Sequence, residues 1–200
     1  MTETAIEYSH NREPNTFTRD EIGWAPWLEP LAEDDLTDRH REGLIEAARA
    51  KSPYFRLLAR DPEVLAARTR TDKDIFYNTS SGLARAEREL AATAASRVNG
   101  CIFCASVHAR FASQYSKRPE DVDKLLRDGV EADIDPHWNA IISASAALTE
   151  TPQAFSSAHV EQLSEAGLDV AEIVDVVNGA AFFNWANRLM LSLGEPTPAA

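Results

Sequence analysis

Apolar positions along most of the chain recur every three to four residues, the spacing of one helix face, and no run shows strand-like alternation with hairpin turns. The pattern predicts a helix over "TDRHREGLIEAARAK" (37–51), with Thr37 or Asp38 as N-cap and Leu44, Ala47 and Ala48 as a narrow apolar stripe. "PEVLAARTRTDKDIFYNTS" opens a second helix at Pro62, a favoured first helical position. The alanine-rich "LARAERELAATAASRV" runs on strong helix formers until Asn99-Gly100 stops it. Further helices are predicted from Cys101 to about Tyr115, and from Pro119 to the stop at Gly129. "HWNAIISASAALTE", "SSAHVEQLSEAG" and "DVAEIVDVVNGAAFFNWANRLMLSLG" complete the set, each bounded by a helix starter and a breaker.

Residues 1–36 differ. Pro26 and Pro30 break any regular helix, and Trp24 and Trp27 lie between acidic residues. Two tryptophans in an extended arm need a surface, either on their own domain or on a neighbouring subunit. The expected architecture is all-α: an N-terminal arm (1–36) and one helical bundle (37–195). With Phe182, Phe183 and Trp185 near the other end, the aromatic load favours a homo-oligomer that removal of residues 1–30 would weaken.

Two hundred residues can bury a full core without staples. The formal charge of −12 excludes nucleic acid and anionic membrane surfaces as partners, because both require clustered Lys and Arg. No apolar run approaches a membrane span and no secretory signal is visible, so a reducing cytoplasm is expected. There a Cys-x-x-Cys pair reads as redox or metal chemistry rather than a structural bridge.

Both cysteines fall in "NGCIFCASVHARF". On a helix, Cys101, Cys104 and His108 lie at i, i+3 and i+7, on one face, with Ile102, Phe103 and Val107 turned toward the core. Asn99-Gly100 puts Cys101 at the helix start, where free amides favour a thiolate. Cys104 sits one turn before His108, within reach of the imidazole. Haem attachment would need His directly after the second cysteine, where Ala105 stands. Zinc would find three ligands here, and His10, His40, His137 and His159 are scattered. An inert core pair is the remaining alternative. Glu89 lies on the preceding helix, and the short turn at Asn99-Gly100 can bring it opposite the cysteine face as a proton relay. Glu87 is expected on a solvated face. Arg188 is expected to pair within the fold rather than bind substrate, and Asn184 and Asn187 add polar groups to an apolar helix.

The segment "ARAERELAATAASRVNGCIFCASVHARFA" resembles the core of the alkyl hydroperoxidase D-like group of the carboxymuconolactone decarboxylase superfamily. The matched pattern is Glu, eleven residues, Cys-x-x-Cys, three residues, His, on Glu89, Cys101, Cys104 and His108. "AAFFNWANRLMLSLG" is similar to the last helix of its peroxidase-related members. The resemblance implies an oligomeric helical fold (dimer, trimer or hexamer) and a thiol peroxidase that needs no cofactor or metal. Cys104 would attack a small hydroperoxide, Cys101 would resolve the sulfenic acid, and Glu89 and His108 would relay protons. A thiol reductant would close the cycle. Helix position alone favours Cys101 as the more acidic thiol. The best-known peroxidase of the group carries a second histidine between its cysteines, where this chain has Ile102 and Phe103, so its relay is shorter or runs through water. A cofactor-free decarboxylase or lyase on a carboxylated lactone, with His108 and Glu89 as acid and base, is the alternative enzyme. A redox-sensing oligomer is the non-enzymatic one.

Overall fold

The computed structural model describes residues 5–78, 80 and 82–198. In chain order the elements are β1 (Gly23–Pro26), α1 (Asp38–Leu44), α2 (Pro53–Leu58), α3 (Pro62–Tyr77), α4 (Arg85–Asn99), α5 (Ile102–Ser116), α6 (Pro119–Asp128), α7 (Pro136–Thr149), α8 (Ser157–Glu165), α9 (Val170–Leu193) and β2 (Gly194–Thr197). The all-α expectation holds, and the boundaries follow local chemistry. Asp61 caps α3 at the Val64 amide, Asp135 caps α7 at Trp138, and Asp169 and Glu172 form a capping box at the start of α9. Gly100 ends α4 at φ 76°, a left-handed position that suits glycine.

Helix α4 is the centre of the bundle. Leu90, Ala91, Ala92, Ala94 and Ala95 are fully buried, and these small side chains let α5, α7 and α9 approach it closely. One core cluster joins α4 to α6 and α7 through Leu125, Ile141 and Ile142. A second surrounds the cysteines with Tyr54, Phe76, Phe182, Phe183 and Met190.

The single helix expected over 37–51 is divided. α1 ends where Ile45 takes φ 64°, and a 3-10 segment, Ala47–Lys51, follows. Leu44 is buried as expected, but Ala47 and Ala48 are exposed, so the stripe does not continue. The break lets Gly43 seat against α3. A Cβ at Gly43 would lie 2.6 Å from Pro62 Cβ and 2.7 Å from its carbonyl oxygen.

The arm is also not wholly irregular. β1 pairs antiparallel with β2, from Gly23 opposite Thr197 to Pro26 opposite Gly194. Trp27 Nε1 donates to Glu195 Oε2 at 2.8 Å and its amide to the Leu193 carbonyl at 2.8 Å, while Trp24 packs on the second core cluster. The tryptophans therefore find their surface on their own chain. This removes the burial argument for seating the arm on a neighbouring subunit. Pairing between the two ends of a chain has no hairpin turn to announce it in sequence. Among the described residues no helix is long and apolar enough to cross a membrane.

Gly43→Ala should force α1 away from the Pro62 backbone and destabilise the fold by about 1–3 kcal/mol. Thermal unfolding checks this. An unchanged Tm would show that the α1–α3 contact yields freely.

Candidate active site

α4 and α5 form an antiparallel pair about the Gly100 turn, and this places Glu89 opposite His108. Glu89 Oε2 meets His108 Nδ1 at 2.5 Å, and Arg85 Nε and Nη2 both reach Oε1 at 2.5 Å. The Glu89 side chain is 1% exposed and that of His108 10%. Burial opposes the charge on Arg85, but the Glu89 carboxylate and its hydrogen bond hold the guanidinium above its ordinary value. The Tyr77 ring, 4.1 Å from the guanidinium, and that of Tyr115, at 5.0 Å, flank Arg85. Phe183 lies 3.9 Å from the His108 ring and Phe76 5.4 Å. With Nδ1 committed to Glu89, Nε2 is the nitrogen left to act on a ligand.

Cys101 is the N-cap of α5 and Cys104 lies in its first turn; both are buried free thiols. They share a hydrogen bond that separates them electrically. The Cys101 thiol is lowered by the Cys104 S–H, against the opposing effect of burial, and by the Cys104 amide and Asn187. The Cys104 thiol is raised by that same bond and by burial. Of the two thiols, Cys101 is therefore the one that ionises more readily, as its helix position suggested. Asn187, fully buried on α9, is fixed by donating to Ser96 Oγ at 3.0 Å and accepting from Asn99 Nδ2 at 3.1 Å. It keeps an amide beside both sulfurs.

Access separates the thiols in the opposite sense. A cavity of about 380 Å³ is lined by Cys104, His108, Glu89, Phe76 and Phe183, and Cys101 does not reach it. Cys101 instead borders a small pocket of about 100 Å³ beneath the arm, beside Trp24 and Gly194.

Of the four residues singled out from sequence, Glu89, Cys104 and His108 thus line one cavity, and Cys101 neighbours Cys104 outside it. Phe103 packs against the second core cluster, as expected, and together with Val107 it also lines the cavity. Glu87 is half-buried and pairs with His137 at 3.3 Å. Arg188 bonds Asn184 and Thr151 on the surface, within the fold. Arg85 was not singled out, although its i,i+4 spacing to Glu89 is a recognisable ion-pair signal. Asn187 was noted only as a polar residue on an apolar helix. Among the described residues no cluster of three His, Cys, Asp or Glu side chains has the form of a metal site.

Comparison with known proteins agrees with the geometry. The model of the carboxymuconolactone decarboxylase family matches residues 62–150, which span both α4 and α5. Residues 62–150 of the chain are therefore similar to the carboxymuconolactone decarboxylase family. No curated protein matches it in sequence. Among solved structures, a peroxidase-related protein from Silicibacter sp. TM1040 aligns with TM-score 0.71 and 23% identity over 96% of each chain. A protein with an alkylhydroperoxidase AhpD core from Ralstonia eutropha JMP134 aligns with TM-score 0.67 and 23% identity, over 91% of this chain and 92% of that one. The debrominase Bmp8 aligns with TM-score 0.66 and 14% identity, over 82% of this chain and 88% of its own. The bundle is therefore similar in fold both to peroxidase-related proteins and to a debrominase.

Cys104→Ala removes the S–H that lowers Cys101. The lower of the two thiol titrations, followed by thiolate ultraviolet absorbance, should then move to higher pH. A titration that stays in place would show that the two thiols do not share a proton.

Proposed function

We propose that the chain is a thiol peroxidase that reduces organic hydroperoxides through a Cys101–Cys104 dithiol/disulfide cycle. The observation that supports it is the placement of Cys104. It alone of the two thiols opens into the cavity that also exposes the His108–Glu89 pair.

In the cycle, Cys104 passes its proton to the Cys101 thiolate and attacks the terminal oxygen of the peroxide. The O–O bond breaks, and the alkoxide takes a proton from the His108–Glu89 pair and leaves as the alcohol. Cys104 is now a sulfenic acid. Cys101 gives up its proton to the relay and attacks the Cys104 sulfur. The departing hydroxide takes that proton and leaves as water, and the disulfide closes. Two electrons from the thiols reduce one peroxide, and a thiol reductant restores the pair. Neither metal nor organic cofactor enters. The acidity of Cys101 serves this order, because the resolving thiol is the one most readily ionised. On this reading the enzyme works in the cytoplasm as a homo-oligomer. The exposed Val170, Val174 and Trp185 on α9 are side chains of the kind a second copy covers.

Stoichiometric cumene hydroperoxide should convert the dithiol to the disulfide, with loss of two hydrogens by mass spectrometry. Cys104→Ser should abolish turnover, and Cys101→Ser should leave a sulfenic acid on Cys104 that dimedone traps. A trap found on Cys101 in the reciprocal variant, and never on Cys104, would reverse the roles. A dithiol untouched by peroxide would remove the peroxidase reading. Glu89→Gln should lower kcat/KM roughly a hundredfold to ten-thousandfold, the usual contribution of a positioned proton relay.

A further inference from the structure

The cavity is lined by a second set of polar side chains besides the His108–Glu89 pair. This set is formed by Tyr54 on α2, Arg68 and Asp72 on α3, and Arg49 and Ser52 from the segment between α1 and α2. Arg68 is 8% exposed and Tyr54 7%. Rings of Tyr54, Phe55 and Phe182 stand 5.3–5.9 Å from the guanidinium carbon.

Several atoms of these polar groups are buried without a hydrogen-bond partner. Arg68 Nε and Nη1 and the Tyr54 hydroxyl have no hydrogen-bond acceptor or donor, and neither does Arg49 Nη1. The nearest carboxylate, Asp72, stands 3.8 Å from Arg68 Nη1 and 3.6 Å from Arg49 Nη2, a distance for attraction rather than a hydrogen bond. Glu46 is taken by Lys73 and Arg49. Three cations (Arg49, Arg68, Lys73) thus face two carboxylates (Glu46, Asp72), which leaves one positive charge while both cysteines are protonated, on a chain whose total is −12. Burial pushes the Tyr54 phenol up to about 12, with Arg68 opposing it, so the hydroxyl keeps its proton and can donate. A guanidinium stripped of water with free N–H groups is costly to a fold unless something fills the site.

We propose that this set forms a carboxylate subsite. An amphipathic acid would seat its carboxylate on Arg68 and Tyr54 and lay its apolar body between Phe76, Phe183 and Met190. The planar guanidinium matches a carboxylate by two parallel N–H bonds, and the tyrosine hydroxyl adds a third donor. The ligand class is therefore a carboxylic acid with a hydrocarbon body. Where its reactive group meets Cys104, it is the hydroperoxide of such an acid. That last step rests on the peroxidase reading; the subsite does not.

Arg68 also favours the Cys104 thiolate. If it served the sulfur alone, a carboxylate and its neutral counterpart would bind alike. The test is calorimetric titration of the reduced full-length protein with hexanoate and with hexanamide, which differ at the head group alone. Hexanoate should bind roughly tenfold to a hundredfold tighter than hexanamide, the difference expected of charge-assisted hydrogen bonds. Arg68→Met should close that gap, Arg68→Lys should restore part of it, and Tyr54→Phe should narrow it, with circular dichroism reporting on the fold of each variant. Equal affinities in the wild-type protein, no hexanoate binding, or a gap that survives both Arg68→Met and Tyr54→Phe would each overturn the subsite. Binding of hexanoate by a protein whose dithiol ignores cumene hydroperoxide would keep the subsite and remove the peroxidase.

Discussion

The buried Glu89 carboxylate is the constraint around which the bundle is arranged. A carboxylate at 1% side-chain exposure loses the hydration that would stabilise it, a penalty of several kcal/mol. Arg85 meets one oxygen and His108 the other, so both oxygens are satisfied. Each partner is itself held in place. Arg85 is flanked by Tyr77 from α3 and by Tyr115 from α5, and His108 rests on Phe76 and Phe183. Helices α3, α4, α5 and α9 therefore converge because one charge has to be compensated. The alanine face of α4 is the packing counterpart, since larger side chains would hold α5 and α9 too far away to close the contacts.

The part of the site readable from sequence is the part carried by one local turn. Glu89, Cys101, Cys104 and His108 lie on two consecutive helices joined at Gly100, so helical period and a short turn suffice to bring them together. Arg68, Tyr54 and Arg49 come from segments whose relative placement is decided by the break at Ile45 and by Gly43 against Pro62, which no periodicity reports. α2 is a six-residue helix on a strongly apolar stretch, too short to show a face. The arm escaped for a related reason: its strand partner, Gly194–Thr197, lies at the far end of the chain. Asn187 was visible as a polar residue among apolar ones, but its use depends on Ser96 and Asn99, on a different helix.

The two cysteines show how acidity and access can be divided between neighbours. The helix start and the Cys104 amide favour charge on Cys101, while the cavity reaches Cys104 alone. A single exposed thiolate would combine both properties and would be open to over-oxidation. Here the thiol that ionises more readily and the thiol that borders the cavity are different residues. The amide of Asn187 beside both sulfurs serves either position of the charge.

The same cavity therefore carries two polar groupings of different electrical character. Around His108, the Arg85–Glu89 pair cancels its own charge, which suits a site where protons are exchanged. Around Arg68, while both cysteines are protonated, one positive charge is left over, desolvated and ringed by aromatic side chains. The net charge of −12 does not cancel it, because at physiological ionic strength surface charges are screened beyond about 8 Å, whereas a buried cation is screened far less. The acidic exterior thus weakens the long-range attraction of anions without neutralising the subsite. An acid with a hydrocarbon body gains twice on entry, from apolar burial against Phe183 and Met190 and from the guanidinium. A small inorganic anion gains from the second alone.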